Sequence, residues 1–181
     1  TGCSAAATAR ASIISNDSWT ISDRGATACP APTLSSSAPA DNATAVGVND
    51  NIVLNFSEAV DVESGNITIK KTSDNSTIEA IAVADSKITG TGTTQITINP
   101  TSALAGQTEY YVLIAASAFD DTSSNSYAGI SSTTALSFTT ADVGVPTLSS
   151  STPVDGSTGI AVDANIVLTF SEAVDVESGN I

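Results

Sequence analysis

The sequence predicts an all-β fold, a sandwich of two packed sheets. Short runs of alternating apolar and polar residues recur along the chain, and turn-forming clusters separate them at intervals of about 8–12 residues. The composition points the same way. Of the residues, 41% are hydrophobic and only 13% charged, against about a quarter charged in ordinary soluble domains. Ser, Thr, Ala, Asn and Gly fill the gap, and these suit strands and turns better than long surface helices.

Taken in order, the strands read as follows. Asn51 to Phe56 sets Ile52, Leu54 and Phe56 on one face, with Val53 and Asn55 on the other. Ile67 and Ile69 alternate with Thr68, Ile78 to Val83 is a β-prone patch, and Gln95 to Asn99 alternates through Ile96 and Ile98. Tyr110, Val112 and Ile114 share a face of the next strand, and Leu136 and Phe138 share a face of the last. Turns are expected at Asp61 to Gly65, Lys71 to Ser76, Thr89 to Thr93 and Asp120 to Ser126. The count comes to about seven strands. Leu104, Thr108 and Tyr110 form an L-x-x-x-T-x-Y pattern just before the strongest strand. That is where Greek-key sandwiches place a tyrosine corner, a Tyr hydroxyl bonded back to nearby backbone.

The chain repeats itself. Setting Pro32 against Pro146, an offset of 114 residues, brings PTLSSSAP onto PTLSSSTP and NIVLNFSEAVDVESGNI onto NIVLTFSEAVDVESGNI. A period of this length is too long for a solenoid of 20–50-residue units and suits a tandem array of whole domains. The sequence therefore divides into an N-terminal segment, 1–30, a complete unit, 31–143, and the start of a second unit, 144–181. This last part supplies only the first strands of a sandwich, near Leu148 and from Ile166 to Phe170, whose apolar face needs a partner. Either the chain continues into a full second domain, or the partial unit docks on another subunit and links subunits head to tail. The absence of Met implies a processed chain or a piece of a longer one.

At the residues of the repeat the chain resembles the bacterial Ig-like domains found in tandem in large surface proteins. The resemblance rests on P-x-L-S-S-S-x-P-x-D-x-x-T-x-V from Pro32, on I-V-L-x-F-S-E-A-V from Ile52, and on A-F-D-D-x-x-x-N-x-Y-A-G from Ala118 followed by L-S-F-T-T from Leu136. It covers Pro32 to Asp142 and resumes at Pro146. The resemblance implies an Ig-like Greek-key sandwich that serves as a spacer or adhesive module at the cell surface, with no shared catalytic activity.

The first thirty residues stand outside the repeat. Ser4 to Ser15 is Ala-rich, with Ala7, Ala11 and Ile14 at helical spacing, and Ser18 to Ser22 reads as a short strand. Cys3 and Cys29 bracket this piece. In a chain of secreted character a disulfide between them is the economical reading, with two unpaired thiols as the alternative. Closing a loop of about 25 residues would contribute roughly 3 kcal/mol. The pattern C-x5-A-R-x3-I-x4-W-T-I-x-D-x-G also resembles the closing segment of bacterial leucine-rich-repeat-like surface proteins, which would make this piece the end cap of a preceding module.

Charge and composition exclude several classes of function. Five basic residues against nineteen acidic ones leave a net charge of −14, which repels nucleic-acid backbones and anionic membrane surfaces. With no histidine in the chain, a His-based dyad or zinc site cannot be built from it alone. No apolar stretch approaches the ~18 residues that span a bilayer. Acidic side chains are the one chemical resource in quantity. Glu58, Asp61, Glu63 and Asn66 in one loop, and Asp120, Asp121 and Asn125 in another, offer the hard oxygens that calcium takes. Neither loop follows EF-hand spacing, and a solvated turn is the plainer account of both. Glu58 and Asp61 are a nominal carboxylate pair for glycoside hydrolysis, yet they sit at a strand end duplicated with the domain, which suits architecture better than an active site. The Thr-rich run ITGTGTTQITI invites an ice-binding reading but lacks a regular Thr-x-Thr period. The N-x-S/T triplets at Asn16, Asn42, Asn55, Asn66 and Asn75 matter only in a host that glycosylates them.

Two functions of different class follow. One is a non-catalytic structural spacer or filament module, extracellular and surrounded by neighbouring domains or subunits of its own kind. The other is an adhesin module that binds a glycan or protein through its loops, stiffened by calcium. Phe119 and Tyr127 are the loop aromatics such binding would use.

Overall fold

Ile52, Leu54, Phe56 and Val60 are between 0% and 5% exposed, and the strand that carries them organises everything around it. In the computed structural model, which describes Asn16, residues 30–175 and Ser178, the chain falls into two compact units divided between Asp142 and Val143. The expected N-terminal helix and strand, and Cys3 and Cys29, lie outside the described residues.

The first unit contains β1 (Leu34–Ala38), β2 (Ala43–Val46), β3 (Ile52–Val62), β4 (Asn66–Lys71), β5 (Thr77–Ala82), β6 (Ile88–Thr89), β7 (Thr93–Ile98), β8 (Glu109–Ile114), β9 (Phe119–Asp120) and β10 (Ser137–Thr140). These form two five-stranded sheets. One runs β1-β3-β7-β6 with β9 on the far end of β3, and the other runs β2-β10-β8-β4-β5. The expected count of about seven is therefore corrected to ten. The order β1-β3-β7-β6 against β10-β8-β4 is the arrangement of the seven strands of an immunoglobulin sandwich, and β2, β5 and β9 are additions to it. They are short or lie at margins, where hydrophobic alternation is weakest.

Alternation explains the core. Ile67 and Ile69 of β4, Ile81 of β5, Ile96 and Ile98 of β7, and Tyr110, Val112 and Ile114 of β8 turn inward and are all at most 3% exposed. Together with the inward face of β3 they form one continuous cluster between the sheets. β3 also runs past the expected end of its strand. Asp61 and Val62, expected in a turn, pair with Asp120 and Phe119 of β9, so the turn shrinks to the bend around Ser64 and Gly65. The hairpin from β6 to β7 turns at Gly90, whose φ is +101° and where a Cβ would stand 2.0 Å from the carbonyl oxygen of Gln95. Only glycine fits there.

The chain crosses from one sheet to the other between β1 and β2, through a cis Ala38–Pro39 bond. β2 then lies parallel to β10, fixed at one end by Asn42 N–H donating to Ser137 O at 2.7 Å and at the other by Ala141 N–H donating to Val46 O at 2.7 Å. The Asp41 carboxylate accepts the Ser137 N–H at 2.9 Å. At the opposite margin Glu79 of β5 accepts from the backbone N–H of Thr101 at 2.8 Å and from the Thr101 hydroxyl, and Lys87 stands 3.4 Å away. Burial opposes ionisation of Glu79, but these donors outweigh it and hold its pKa below the usual carboxylate range.

The tyrosine corner is present. The Tyr110 hydroxyl accepts the Ala105 N–H at 3.0 Å, and Leu104 packs into the core beside it. Thr140 of β10 locks the same corner, donating from its hydroxyl to Ala105 O at 2.6 Å and accepting from Thr108 N–H at 3.0 Å.

The second unit contains β11 (Leu148–Thr152) and β12 (Val167–Phe170), paired antiparallel. Each pairing of β1 with β3 recurs at the 114-residue offset: Leu34↔Phe56 becomes Leu148↔Phe170, and Ala38↔Val53 becomes Thr152↔Val167, with the same bulge between. The side-chain bonds recur too. Thr33 N–H donates to Ser57 Oγ at 3.0 Å, and Thr147 N–H to Ser171 Oγ at 3.0 Å. Burial is what differs: Ile166, Leu168 and Phe170 are 72%, 39% and 36% exposed. Among the described residues no helix is long and apolar enough to cross a membrane.

Tyr110→Phe removes the corner bond while keeping the ring in the core. The variant should lose about 1–2 kcal/mol, read as a lower urea midpoint with an unchanged slope.

Candidate functional site

The acidic residues singled out in the sequence fall at one end of the first unit, but they do not converge. Asp61 and Asp120 face each other across the β3–β9 pair. Thr91 reaches over from the β6–β7 turn, its hydroxyl 3.3 Å from Asp61 Oδ1 and accepting the Val62 N–H at 3.1 Å. Glu58 is half-buried within β3, and Glu63 and Asn66 are exposed on either side of the bend. There the backbone does the binding: Glu63 N–H donates to Ala118 O at 3.0 Å, and Ala115 N–H to Asn66 O at 3.1 Å. Among the described residues no group of three or more His, Cys, Asp or Glu side chains is close enough to hold a metal ion.

Among the described residues Asp121 is the acidic residue most enclosed by protein, at 5% exposed. Its carboxylate accepts the Ser123 N–H at 2.7 Å, the Asn125 N–H at 2.9 Å and the Asn125 side-chain amide at 2.8 Å. Asp121 N–H in turn donates to Asn125 O at 3.0 Å. The loop from Asp121 to Asn125 is thus wrapped around one carboxylate, with Ser124 in the left-handed region at φ 61°. Burial pushes against ionisation, and the donors from Asn125 and Ser123 outweigh it, holding the pKa below the usual carboxylate value. Asp121 and Asn125 organise their own turn.

Phe119 and Tyr127 are a correction to the expectation that they present themselves from loops. Phe119 is 0% exposed and Tyr127 7%. Both rings pack edge-on against Phe56, with centroids at 5.3 and 5.2 Å, and form the aromatic end of the core. Burial raises the Tyr127 pKa. The Thr-rich run is likewise tied up in its hairpin, since the Thr93 hydroxyl bonds the carbonyls of Gly90 and Gln95 at 2.7 and 2.9 Å. A surface cleft lined by Val48, Asp50, Asn99 and Thr101 carries one titratable group, Asp50, and that carboxylate caps its own turn by accepting the Gly47 N–H at 2.9 Å.

What this end of the unit offers is a set of self-satisfied turns on an acidic sandwich. The sequence profile of the bacterial Ig-like domain matches residues 29–140 and again 142–181. The chain belongs to the bacterial Ig-like domain family. Among curated proteins none matches. Among solved structures, the crystal structure of the S-layer protein rSbsC is similar at 16% sequence identity with a TM-score of 0.42, over 67% of this chain and 16% of that one. The chain thus spans a small part of that protein's length. The family match begins at residue 29, so the leucine-rich-repeat-like resemblance of the preceding segment falls outside both the match and the described residues.

In this bacterial Ig-like domain Asp121 should behave as a pH-dependent structural group. Its folded pKa is depressed, so its stabilisation is present above the unfolded value of about 4 and is lost as pH falls through the folded value. Asp121→Ala should cost about 1–3 kcal/mol near neutral pH. The difference from the parent chain should close in acid, as followed by denaturant melts across the range.

Proposed function

We propose that the chain is a non-catalytic structural module of a repetitive bacterial protein, acting outside the cell as a spacer or filament element. Its neighbours would be further domains or subunits of the same protein, joined head to tail. The observation that carries this reading is the repeat itself. The two ribbons keep one register, one bulge and one set of side-chain bonds at an offset of 114 residues, as expected where the same module is reiterated and its framework, not a unique site, is what counts. The net charge of −14 supports it by keeping such a chain soluble and away from nucleic acid. The adhesin alternative loses its two loop aromatics to the core.

Protease accessibility on intact cells of the producing bacterium tests the location, and cleavage confined to lysed cells would overturn it. Replacing residues 31–143 with an unrelated sandwich of equal length should preserve assembly and projection. Loss of attachment to a glycan or protein surface in that chimera would instead favour adhesion. Within the spacer reading calcium, if bound through the acidic loops, would stiffen the domain and take no catalytic part. Excess chelator should then lower the melting temperature, and an unchanged melt would remove calcium from the account.

A further inference from the structure

The repeat sets one turn in two different surroundings. Asp41–Asn42 follows β1 and Asp155–Gly156 follows β11, at the same 114-residue offset. Both are β-turns with the later residue in the left-handed region. Ala43 N–H donates to Ala40 O at 3.0 Å with Asn42 at φ 58°, and Ser157 N–H donates to Val154 O at 3.1 Å with Gly156 at φ 74°. All four turn residues are exposed, so burial does not separate them. Bonding does.

In the first unit Ser137 of β10 holds both of the groups that could react with each other. Its carbonyl accepts the Asn42 N–H at 2.7 Å, and its N–H and hydroxyl donate to the Asp41 carboxylate at 2.9 and 3.2 Å. The Asn42 side-chain amide adds a bond to that carboxylate at 2.7 Å. The second unit has β11 and β12 among its described residues, with no strand in the place of β10. There the Gly156 N–H and the Asp155 carboxylate have no hydrogen-bond partner among the described residues. Asp155–Gly156 is also the only step in the sequence where glycine follows Asp or Asn. Glycine has no β-carbon to crowd its nitrogen, and it lets the backbone leave the turn freely. Related steps are tied down. At Asn75–Ser76 the Ser76 N–H donates to Asp74 at 2.9 Å, and at Asn125–Ser126 the Asn125 side-chain amide donates to Asp121 at 2.8 Å.

We propose that Asp155–Gly156 is a site of spontaneous aspartate isomerisation, open while nothing closes over its turn as β10 closes over Asp41. The Gly156 nitrogen attacks Asp155 Cγ and forms a new bond to it. The proton of that nitrogen and the hydroxyl of the carboxyl group leave as water, and the product is a five-membered succinimide. Water then opens the ring. Addition at Cγ restores aspartate. Addition at the Asp155 carbonyl carbon breaks the original peptide bond and leaves the chain running through Cβ and Cγ, as isoaspartate. One water leaves and one returns, and nothing is oxidised or reduced. The isomer lengthens the chain path between β11 and β12 and moves the free carboxylate to Cα. A turn so altered cannot hold a strand as Asp41 holds Ser137, so the modification marks copies whose turn stayed open. The site is independent of the spacer reading and would stand if the module proved adhesive.

The test uses the full chain, kept folded in neutral buffer for several weeks. The probe is an isoaspartate methyltransferase with labelled S-adenosylmethionine, which methylates isoaspartyl carboxylates and leaves ordinary aspartate alone. Fragmentation of the labelled peptides locates the methyl group. Label should accumulate at Asp155. Asp155→Glu keeps the charge but would need a six-membered ring, and it should reduce that label to background. Gly156→Ala should slow labelling about tenfold, because a β-carbon then crowds the attacking nitrogen. Asn42→Gly places the same dipeptide in the closed turn, where glycine accepts a φ of 58°. With its melt matched to the parent's, this variant should label at Asp41 only once unfolded in urea. A parent chain that gains no label at Asp155 overturns the proposal. So does a folded Asn42→Gly variant that labels at Asp41 as fast as at Asp155.

Discussion

The first unit depends on the burial of one face of β3. That strand pairs with β1, β7 and β9, so it is the only element in its sheet with three strand partners among the described residues, and its inward side chains meet β4 and β8 of the opposite sheet in the core cluster. Each large apolar side chain so buried is worth about 1.5–3 kcal/mol. The repeat supplies an internal comparison. Ser57 to Asp61 and Ser171 to Asp175 carry the same five residues, SEAVD. In the first unit the segment is strand, held by β7 and β9, whereas β12 ends at Phe170. Register and side-chain bonding of the ribbon are thus set locally, while the length of the strand is set by what packs and pairs beyond it.

That division explains what could be read from the sequence. Strands whose inward face is a clean alternation of branched residues, as in Ile52–Leu54–Phe56, Ile67–Ile69 and Ile96–Ile98, were legible because one face is wet and the other dry. The tyrosine corner was legible because its partners lie within six residues of each other in sequence, Ala105 to Tyr110. β2 was not, since a strand of Ala, Thr, Ala and Val with Ala45 in the left-handed region has neither the pattern nor the backbone of a regular strand. β6 and β9 are two residues each and owe their existence to the neighbours they pair with.

The candidate site was harder, because chemistry and geometry share the same residue types. Asp121 and Asn125 are what a calcium loop requires and also what a tight turn requires, and only the hydrogen bonds reveal that the carboxylate is spent on the turn. Phe119 and Tyr127 flank a polar run, D-D-T-S-S-N-S, which reads as a loop and makes its aromatics look exposed. Their destination is fixed by Phe56, more than sixty positions earlier in the chain. No periodicity within a local window carries that information.

The parallel pairing of β2 with β10 has a mechanical consequence. These strands lie near the entry and exit of the first unit, and in a parallel pair the start of one is at the opposite end from the finish of the other. Tension that pulls the start of β2 away from the finish of β10 therefore loads the bonds between them together, in shear, instead of one after another as in peeling a hairpin. The bonds from Asn42 to Ser137 and from Ala141 to Val46 bracket the pair and must yield in the same event. Resistance to such a pull is a matter of unfolding rate more than of equilibrium stability, so a unit of modest thermal stability could still hold against brief loads.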